Sequence, residues 1–73
     1  MKVTLENTSK LVHLNGVPAR VWEGETESGI KVHAFITRIA VEKSQDTSQF
    51  ERELSEQKVP SAEVQAIPLR MIL

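Results

Sequence analysis

The segment from Val17 to Val41 constrains the fold of this chain more than any other, because two alternating apolar runs flank a polar turn. Aliphatic residues recur with a period of two in both runs, as Val17, Ala19 and Val21 and then as Ile30, Val32, Ala34 and Ile36. A period of two is typical of strands with one buried face. Ser28-Gly29 supplies turn chemistry between the runs, since glycine adopts positive φ without a steric penalty. The segment therefore predicts a β-hairpin.

The register of this hairpin decides which residues share a face, because a shift of one residue moves every side chain to the other side of the sheet. A loop of two residues pairs Val21 with Ile36, and a loop of four pairs Val21 with Ala34. Both loops keep the aliphatic residues on a common face, whereas a loop of three residues mixes the faces and is disfavoured. The opposite face is expected to hold a mixed set of side chains: Arg20, Trp22, Lys31, His33, Phe35, Thr37, Ile39 and Val41.

Five residues of this mixed face are candidates for binding a partner: Arg20, Trp22, Lys31, His33 and Phe35. Basic residues interleaved with aromatic ones on an open sheet can stack single-stranded bases, and Trp and Arg are common anchors of protein interfaces. The alternative is a minor core under the following helix, made of Trp22, Phe35, Ile39, Phe50 and Leu54. A second candidate set consists of three acidic residues: Glu23, Glu25 and Glu27. They form either a solvated hairpin tip or a contact for a basic partner.

The first part of the chain predicts two further strand segments. Residues Lys2 to Asn7 alternate, and an apolar run resumes from Leu11 to Leu14 after a polar break at Thr8-Ser9. Asn15-Gly16 is the strongest two-residue turn signal in the sequence. It is expected to fold the preceding residues back onto the start of the central hairpin, which makes a meander.

Helix signals follow the hairpin. Asp46, with Gln49 three residues later, is a capping pattern that predicts a helix over residues 47–57. Ser61 can cap one further turn from Ala62 to Gln65.

The apolar C-terminal segment, from Ile67 to Leu73, predicts a closing strand that belongs to the core or to a subunit interface, since a free apolar end would aggregate. Residues 1–73 are therefore expected to form one α+β domain. The domain is predicted to contain a small, twisted, antiparallel sheet of four to five strands, together with one helix and a C-terminal strand.

Composition limits the possible functions. A chain of 73 residues buries a small core, so either this core is efficient or a partner chain completes it. It has no cysteine, which suits a reducing cytoplasm, and its net charge of -1 gives no global attraction for nucleic acid. It has neither a signal-peptide pattern nor an apolar run long enough to span a membrane. A soluble cytoplasmic protein is expected.

Catalytic and metal-binding motifs are lacking in the sequence. His13 and His33 are the only histidines, and no cysteine or carboxylate spacing completes a metal site around them. The serines stand in turn and cap positions rather than in a nucleophile motif. We therefore expect no enzymatic activity, no cofactor, no metal and no small-molecule substrate.

The segments NGVPARVWEG, VHAFITRI and IPLRMIL resemble small uncharacterised proteins encoded by bacteriophages and prophages of Gram-negative bacteria. This resemblance covers most of the chain but implies no chemistry and assigns no functional residue. It implies the cytoplasm of an infected or lysogenic bacterium as the context.

These observations predict a non-enzymatic protein-interaction module that self-associates or binds a larger host or phage protein. The alternative is a small nucleic-acid-binding β-fold that uses the aromatic and basic face, which the net charge disfavours.

Overall fold

The computed structural model describes residues 1–72, which form an α+β fold built on a four-stranded sheet. Its elements are β1 (Val3–Leu14), β2 (Val17–Thr26), β3 (Lys31–Ile36), α1 (Thr47–Leu54), α2 (Ala62–Gln65) and β4 (Arg70–Met71). The strand order is β3-β2-β1-β4. The predicted α+β class, the meander, the helix after the hairpin and the C-terminal strand are confirmed. The sheet is mixed rather than wholly antiparallel, because β4 runs parallel to β1.

The first hairpin has the predicted two-residue turn. Asn15 and Gly16 have φ values of 52° and 82°, and Leu14 pairs with Val17 across them. Positive φ at both central residues is typical of a type I′ turn, whose twist matches that of the flanking strands.

The second hairpin has a loop of three residues, so the predicted register is wrong by one. Thr26 donates its backbone N–H to the Ile30 carbonyl (3.0 Å), and Gly29 donates to the Thr26 carbonyl (3.0 Å). Gly29 has φ 88°, as in three-residue loops that close with a left-handed glycine. Val21 consequently pairs with Phe35 rather than with Ile36 or Ala34.

β1 is one continuous strand with a bulge where the sequence predicted a polar break. Between the Asn7–Trp22 and Leu11–Arg20 pairs, residues 8–10 of β1 lie opposite the single residue Val21. The backbone hydrogen bonds are interrupted there. The hydroxyl of the fully buried Thr8 supplies a side-chain bond instead, donating to the Val21 carbonyl (2.6 Å). A polar residue in the interior is stable here because its hydroxyl is hydrogen-bonded.

The core lies on one face of the sheet, which we call the core face. It consists of Val12, Ala19 and Val21 from the sheet and Val64 from α2, all buried. Four half-buried side chains pack around these residues: Leu14, Phe35, Ile67 and Met71. Ser61 caps α2, because its hydroxyl accepts a hydrogen bond from the Val64 N–H (3.4 Å), as the sequence predicted.

The C-terminal strand is shorter than predicted. β4 has two residues, and its segment is held by hydrogen bonds from the His13 N–H to the Leu69 carbonyl (2.6 Å) and from the Asn15 N–H to the Met71 carbonyl (2.8 Å). Leu69 and Ile72 are exposed by 57% and 92%. Within the predicted strand, therefore, only part of the segment packs against the core, and Leu73 lies outside the described residues.

Candidate functional site

The five residues predicted to share a binding surface lie on opposite faces of the sheet. Directly opposed residues of an antiparallel pair share a face. The Trp22–Ala34 and Arg20–Ile36 pairs lie on the face opposite the core, which we call the open face. Lys31, His33 and Phe35 are opposed to Glu25, Glu23 and Val21 and lie on the core face. The prediction of one shared surface is wrong because the three-residue loop shifts β3 by one position.

The three separated residues have different surroundings. Phe35 packs against the core. Lys31 forms an ion pair with Glu25 (3.3 Å), and both side chains are exposed. His33 is exposed on the same strand. A surface that combines these residues with Trp22 is therefore absent from the described chain.

Two of the three acidic candidates make contacts: Glu25 pairs with Lys31, and the larger set belongs to Glu23. Its carboxylate accepts hydrogen bonds from the Ser61 backbone N–H (2.9 Å) and from the Lys58 ammonium (3.3 Å). Glu27 is exposed in the hairpin loop. The Ser61 hydrogen bond is the main cause that lowers the pKa of Glu23, partial burial raises this pKa by less, and Lys58 adds to the lowering. Glu23 thus ties β2 to the segment that leads into α2.

Replacing Glu23 with glutamine is expected to make folding less sensitive to acid. Because its pKa is lower in the folded state than the ordinary value of 4.5, ionised Glu23 stabilises the fold above that pH. This stabilisation is lost as the pH falls through the folded-state pKa. Glu23→Gln should lower the free energy of unfolding at pH 7 by about 1 kcal/mol and flatten its decline below pH 4.5.

Urea denaturation of both proteins between pH 7 and pH 3 measures this effect. Glu27→Gln is the matched control, since it removes one carboxylate from the exposed loop and leaves the Ser61 hydrogen bond to Glu23 in place. Parallel pH profiles for wild type and Glu23→Gln would contradict the role given to the Ser61 hydrogen bond.

A groove lies on the open face, between the sheet and α1. Two adjoining cavities of about 510 and 190 Å³ form it and share five lining residues: Asn7, Trp22, Phe50, Leu54 and Gln57. We call this feature the Trp22 groove. Its wider opening also includes Glu6, Glu53, Glu56 and Lys58, and its narrower opening includes Arg20, Arg38 and Ile39.

Helix α1 covers the groove loosely. Asp46 caps it as predicted, accepting a hydrogen bond from the Ser48 N–H (2.9 Å), but the helix ends at Leu54 rather than at residue 57. None of its eight described residues is buried. Phe50 is half-buried and Leu54 is 38% exposed. The predicted minor core is therefore a half-exposed cluster of Trp22, Ile39, Phe50 and Leu54, without Phe35.

Asn7 is the polar residue that the sequence analysis did not single out. It is 7% exposed, and its side-chain amide donates to the Leu54 carbonyl at the end of α1 (2.8 Å). The side-chain oxygen of Asn7, Oδ1, has no hydrogen-bond partner within residues 1–72. The available signal is that Asn7 continues the alternation of Val3 and Leu5, which places a polar side chain at an apolar position of β1.

Charge is distributed unevenly around the groove. Among residues 1–72 the ion pairs are Lys31–Glu25 and Lys58–Glu23, so Glu6, Glu53 and Glu56 at the wider opening have no cationic partner. At the narrower opening, the Arg20 guanidinium donates to the Thr8 carbonyl (3.3 Å). The wider opening is therefore an apolar cavity with an acidic rim.

Two further features bear on chemistry. Within the described part of the chain, no three histidine, cysteine or acidic side chains come together in a way that could hold a metal ion. No helix formed by residues 1–72 has the length and apolar character needed to cross a membrane.

Comparisons of the chain with protein-family models, with curated proteins and with solved structures find no match.

Proposed function

We propose that this chain is a non-enzymatic protein-interaction module of bacteriophage or prophage origin, which acts in the bacterial cytoplasm by self-association or by binding a larger protein. The observation that most supports this proposal is that helix α1 covers the open face of the sheet only in part. Trp22 is half-buried beneath a helix that has no buried residue among those described, beside an open apolar groove. Tryptophan is the residue type most often found at the energetic centre of protein interfaces.

Exposed aliphatic side chains on the open face add to this support. Val3 and Leu11 of β1 are 40% and 50% exposed, and Ile39 beside the groove is 41% exposed. Their strand positions give Val3 and Leu11 the same face as Trp22. Covering such side chains by a partner would stabilise the assembly by roughly 25 cal/mol per Å² of apolar surface removed from water.

Self-association is supported by the outer edge of β3. Because Thr26 and Ile30 are hydrogen-bonded, alternation along the ladder points the backbone groups of Lys31, His33 and Phe35 away from β2. Within residues 1–72, no strand pairs with that side. An unpaired edge without proline or a bulge is a template for pairing with another chain. The opposite edge of the sheet is covered by β4 and by the Thr8–Lys58 bridge.

A two-fold axis at Ala34 gives a compatible antiparallel pairing of two β3 strands. It would place Val32 opposite the partner's Ile36 on the open face and His33 opposite the partner's Phe35 on the core face. Aliphatic and aromatic cross-strand pairs of this kind stabilise a sheet, and no like charges face each other. The interface would be the same patch on both copies, as two-fold symmetry requires.

Replacing His33 with proline is expected to convert a dimer into a monomer. The His33 N–H points outward, so proline removes a hydrogen bond from the dimer and none from the β2–β3 ladder. Sedimentation velocity at high micromolar concentration should show a dimer for wild type and a monomer for His33→Pro. His33→Ala is the control and should remain dimeric. Circular dichroism should show that all three proteins are folded.

Binding of a larger protein is tested by affinity capture from a lysate of a Gram-negative host with wild type and with Leu54→Ser. Leu54 lines the groove, and its replacement leaves the Asn7 hydrogen bond to the Leu54 carbonyl available. Ile30→Ser is the control, because Ile30 is 63% exposed and is not part of the groove lining. A monomeric wild type that also retains the same proteins as Leu54→Ser would contradict the proposal.

The nucleic-acid alternative loses its geometric basis. It required Arg20, Trp22 and the three residues of β3 to form one stacking surface, and these lie on opposite faces. No observation in the described chain favours it over protein binding.

A further inference from the structure

The floor of the wider opening of the Trp22 groove is suited to an apolar chain that carries positive charge. Trp22 and Phe50 supply aromatic surface, and Leu54 supplies aliphatic surface beside them. The face of an indole ring attracts a cation as well as an alkyl group. Lysine and arginine combine both, since their alkyl stems pack on apolar surface while the charged ends stay at the rim.

The rim supplies the complementary charge. Glu53 from α1 and Glu56 from the following segment lie at this opening, and neither has an ion-pair partner within residues 1–72. Glu6 also lines it, but its pairing with Glu23 gives its side chain the core face. Lys58 is the basic residue of the lining, and its ammonium is paired with Glu23 at 3.3 Å. Two unpaired carboxylates beside an apolar floor would repel an acidic partner and attract a basic one.

Asn7 gives an independent indication that the groove lacks a hydrogen-bond donor. Asn7 is more than nine-tenths buried and lines the groove, and its side-chain oxygen Oδ1 lacks a hydrogen bond in the described structure. Buried carbonyl oxygens are normally satisfied. An N–H group of a bound ligand that reaches this oxygen would supply the bond, and both a peptide backbone and a basic side chain have such groups.

We infer that the wider opening of the Trp22 groove binds a basic, apolar peptide segment of another protein. This rests on the proposed function and specifies the partner's chemistry at that site. A second copy of this chain matches the rim poorly, because its nine lysine and arginine residues stand at least five positions apart in the sequence. A segment that opposes the neighbouring carboxylates of Glu53 and Glu56 needs its basic residues closer together.

Two short acetylated peptides test this inference, one that alternates lysine with leucine and one in which glutamine replaces every lysine. Neither contains tryptophan, so the fluorescence of Trp22, the single tryptophan of the protein, reports binding. The lysine peptide should shift the Trp22 emission at low salt and bind about tenfold or more tightly than the glutamine peptide. In NMR spectra, the side-chain amide resonances of Asn7 should move when it binds.

Two double glutamine variants distinguish an effect of the carboxylates at the rim from an effect of the protein's net charge. The double variant Glu53→Gln/Glu56→Gln should weaken binding of the lysine peptide about tenfold, because it removes two rim carboxylates. The control Glu27→Gln/Glu51→Gln removes the same charge away from the groove lining and should change the affinity less than about twofold.

Several results would overturn the inference: no binding of the lysine peptide, equal affinity for both peptides, or equal effects of the two double variants. A loss of dimerisation in Leu54→Ser would also overturn it, since a second copy would then occupy the groove. The proposed function is judged separately by the sedimentation of His33→Pro and by capture with Leu54→Ser.

Discussion

Replacing Gly24 with alanine is expected to unfold most of the protein at room temperature. A Cβ atom at this position would lie 1.7 Å from the Thr4 carbonyl oxygen and 2.9 Å from the Leu5 Cα. These are backbone atoms of β1 within the ladder that pairs Thr4 with Glu25 and Leu5 with Gly24, so they can move away only if the two strands separate there. Overpacking against atoms held in this way costs about 3 kcal/mol or more, and a domain of this size rarely has more than about 3–5 kcal/mol of stability.

Urea denaturation followed by Trp22 fluorescence measures this loss. Glu25→Ala is the neighbouring control, because it removes only the exposed ion pair with Lys31 and should change the free energy of unfolding by about 0.5 kcal/mol or less. A Gly24→Ala protein within about 1 kcal/mol of wild type would show that β1 does not approach Gly24 as closely as described.

Deleting residues 67–73 is the second change with a large expected effect, and it should leave an unfolded or aggregated chain. The deletion removes the half-buried side chains of Ile67 and Met71, which pack against the buried core residues. It also removes the two carbonyl groups that accept hydrogen bonds from His13 and Asn15. Together these losses amount to about 4–5 kcal/mol, comparable to the whole stability of a small domain.

Point substitutions in the same segment act as graded controls for the deletion. Met71→Ala should lower the melting temperature by several degrees, at about 4–8 °C for each 1 kcal/mol lost. Ile72→Ala should leave it unchanged, because Ile72 is 92% exposed. A truncated protein that stays soluble and melts within a few degrees of full length would contradict the role of this segment in the core.

Local features of the fold could be predicted from the sequence because each depends on a few adjacent residues. Asn15-Gly16 determines its turn through the positive φ of both residues. Asp46 and Ser61 determine helix starts, since their side-chain oxygens bond N–H groups only two or three positions ahead. These signals need no knowledge of the rest of the chain.

The register of β3 could not be predicted by the same means. Loops of two, three and four residues all place Gly29 in the turn, and aliphatic alternation favoured the loops of even length. The three-residue loop instead gives the core the large side chain of Phe35, and the Thr26 hydroxyl accepts a hydrogen bond from the Ile30 N–H (3.2 Å). Two aliphatic residues of β3, Val32 and Ile36, consequently lie on the open face.

Long-range contacts account for the remaining differences. The parallel pairing of β4 with β1 depends on how the chain returns past the bulge, where Lys58 donates to the Asn7 carbonyl (2.9 Å). The groove depends on Asn7 and Leu54, which are 47 positions apart. Gly24 did offer a local signal, because glycine inside a strand often marks a close approach of another backbone.

Our central claim is that the register of β3 on β2, shifted by one residue from the predicted one, places Trp22 and Phe35 on opposite faces of the sheet. The Trp22 groove consequently lies on the open face. Nuclear Overhauser contacts between Hα atoms measure this register directly, because opposed residues that are not hydrogen-bonded to each other bring their Cα atoms to about 4.5 Å. We expect strong Hα–Hα contacts for Val21 with Phe35 and for Glu23 with His33. Contacts of the Val21 Hα with the Hα of Ile36 or Ala34 instead would contradict it.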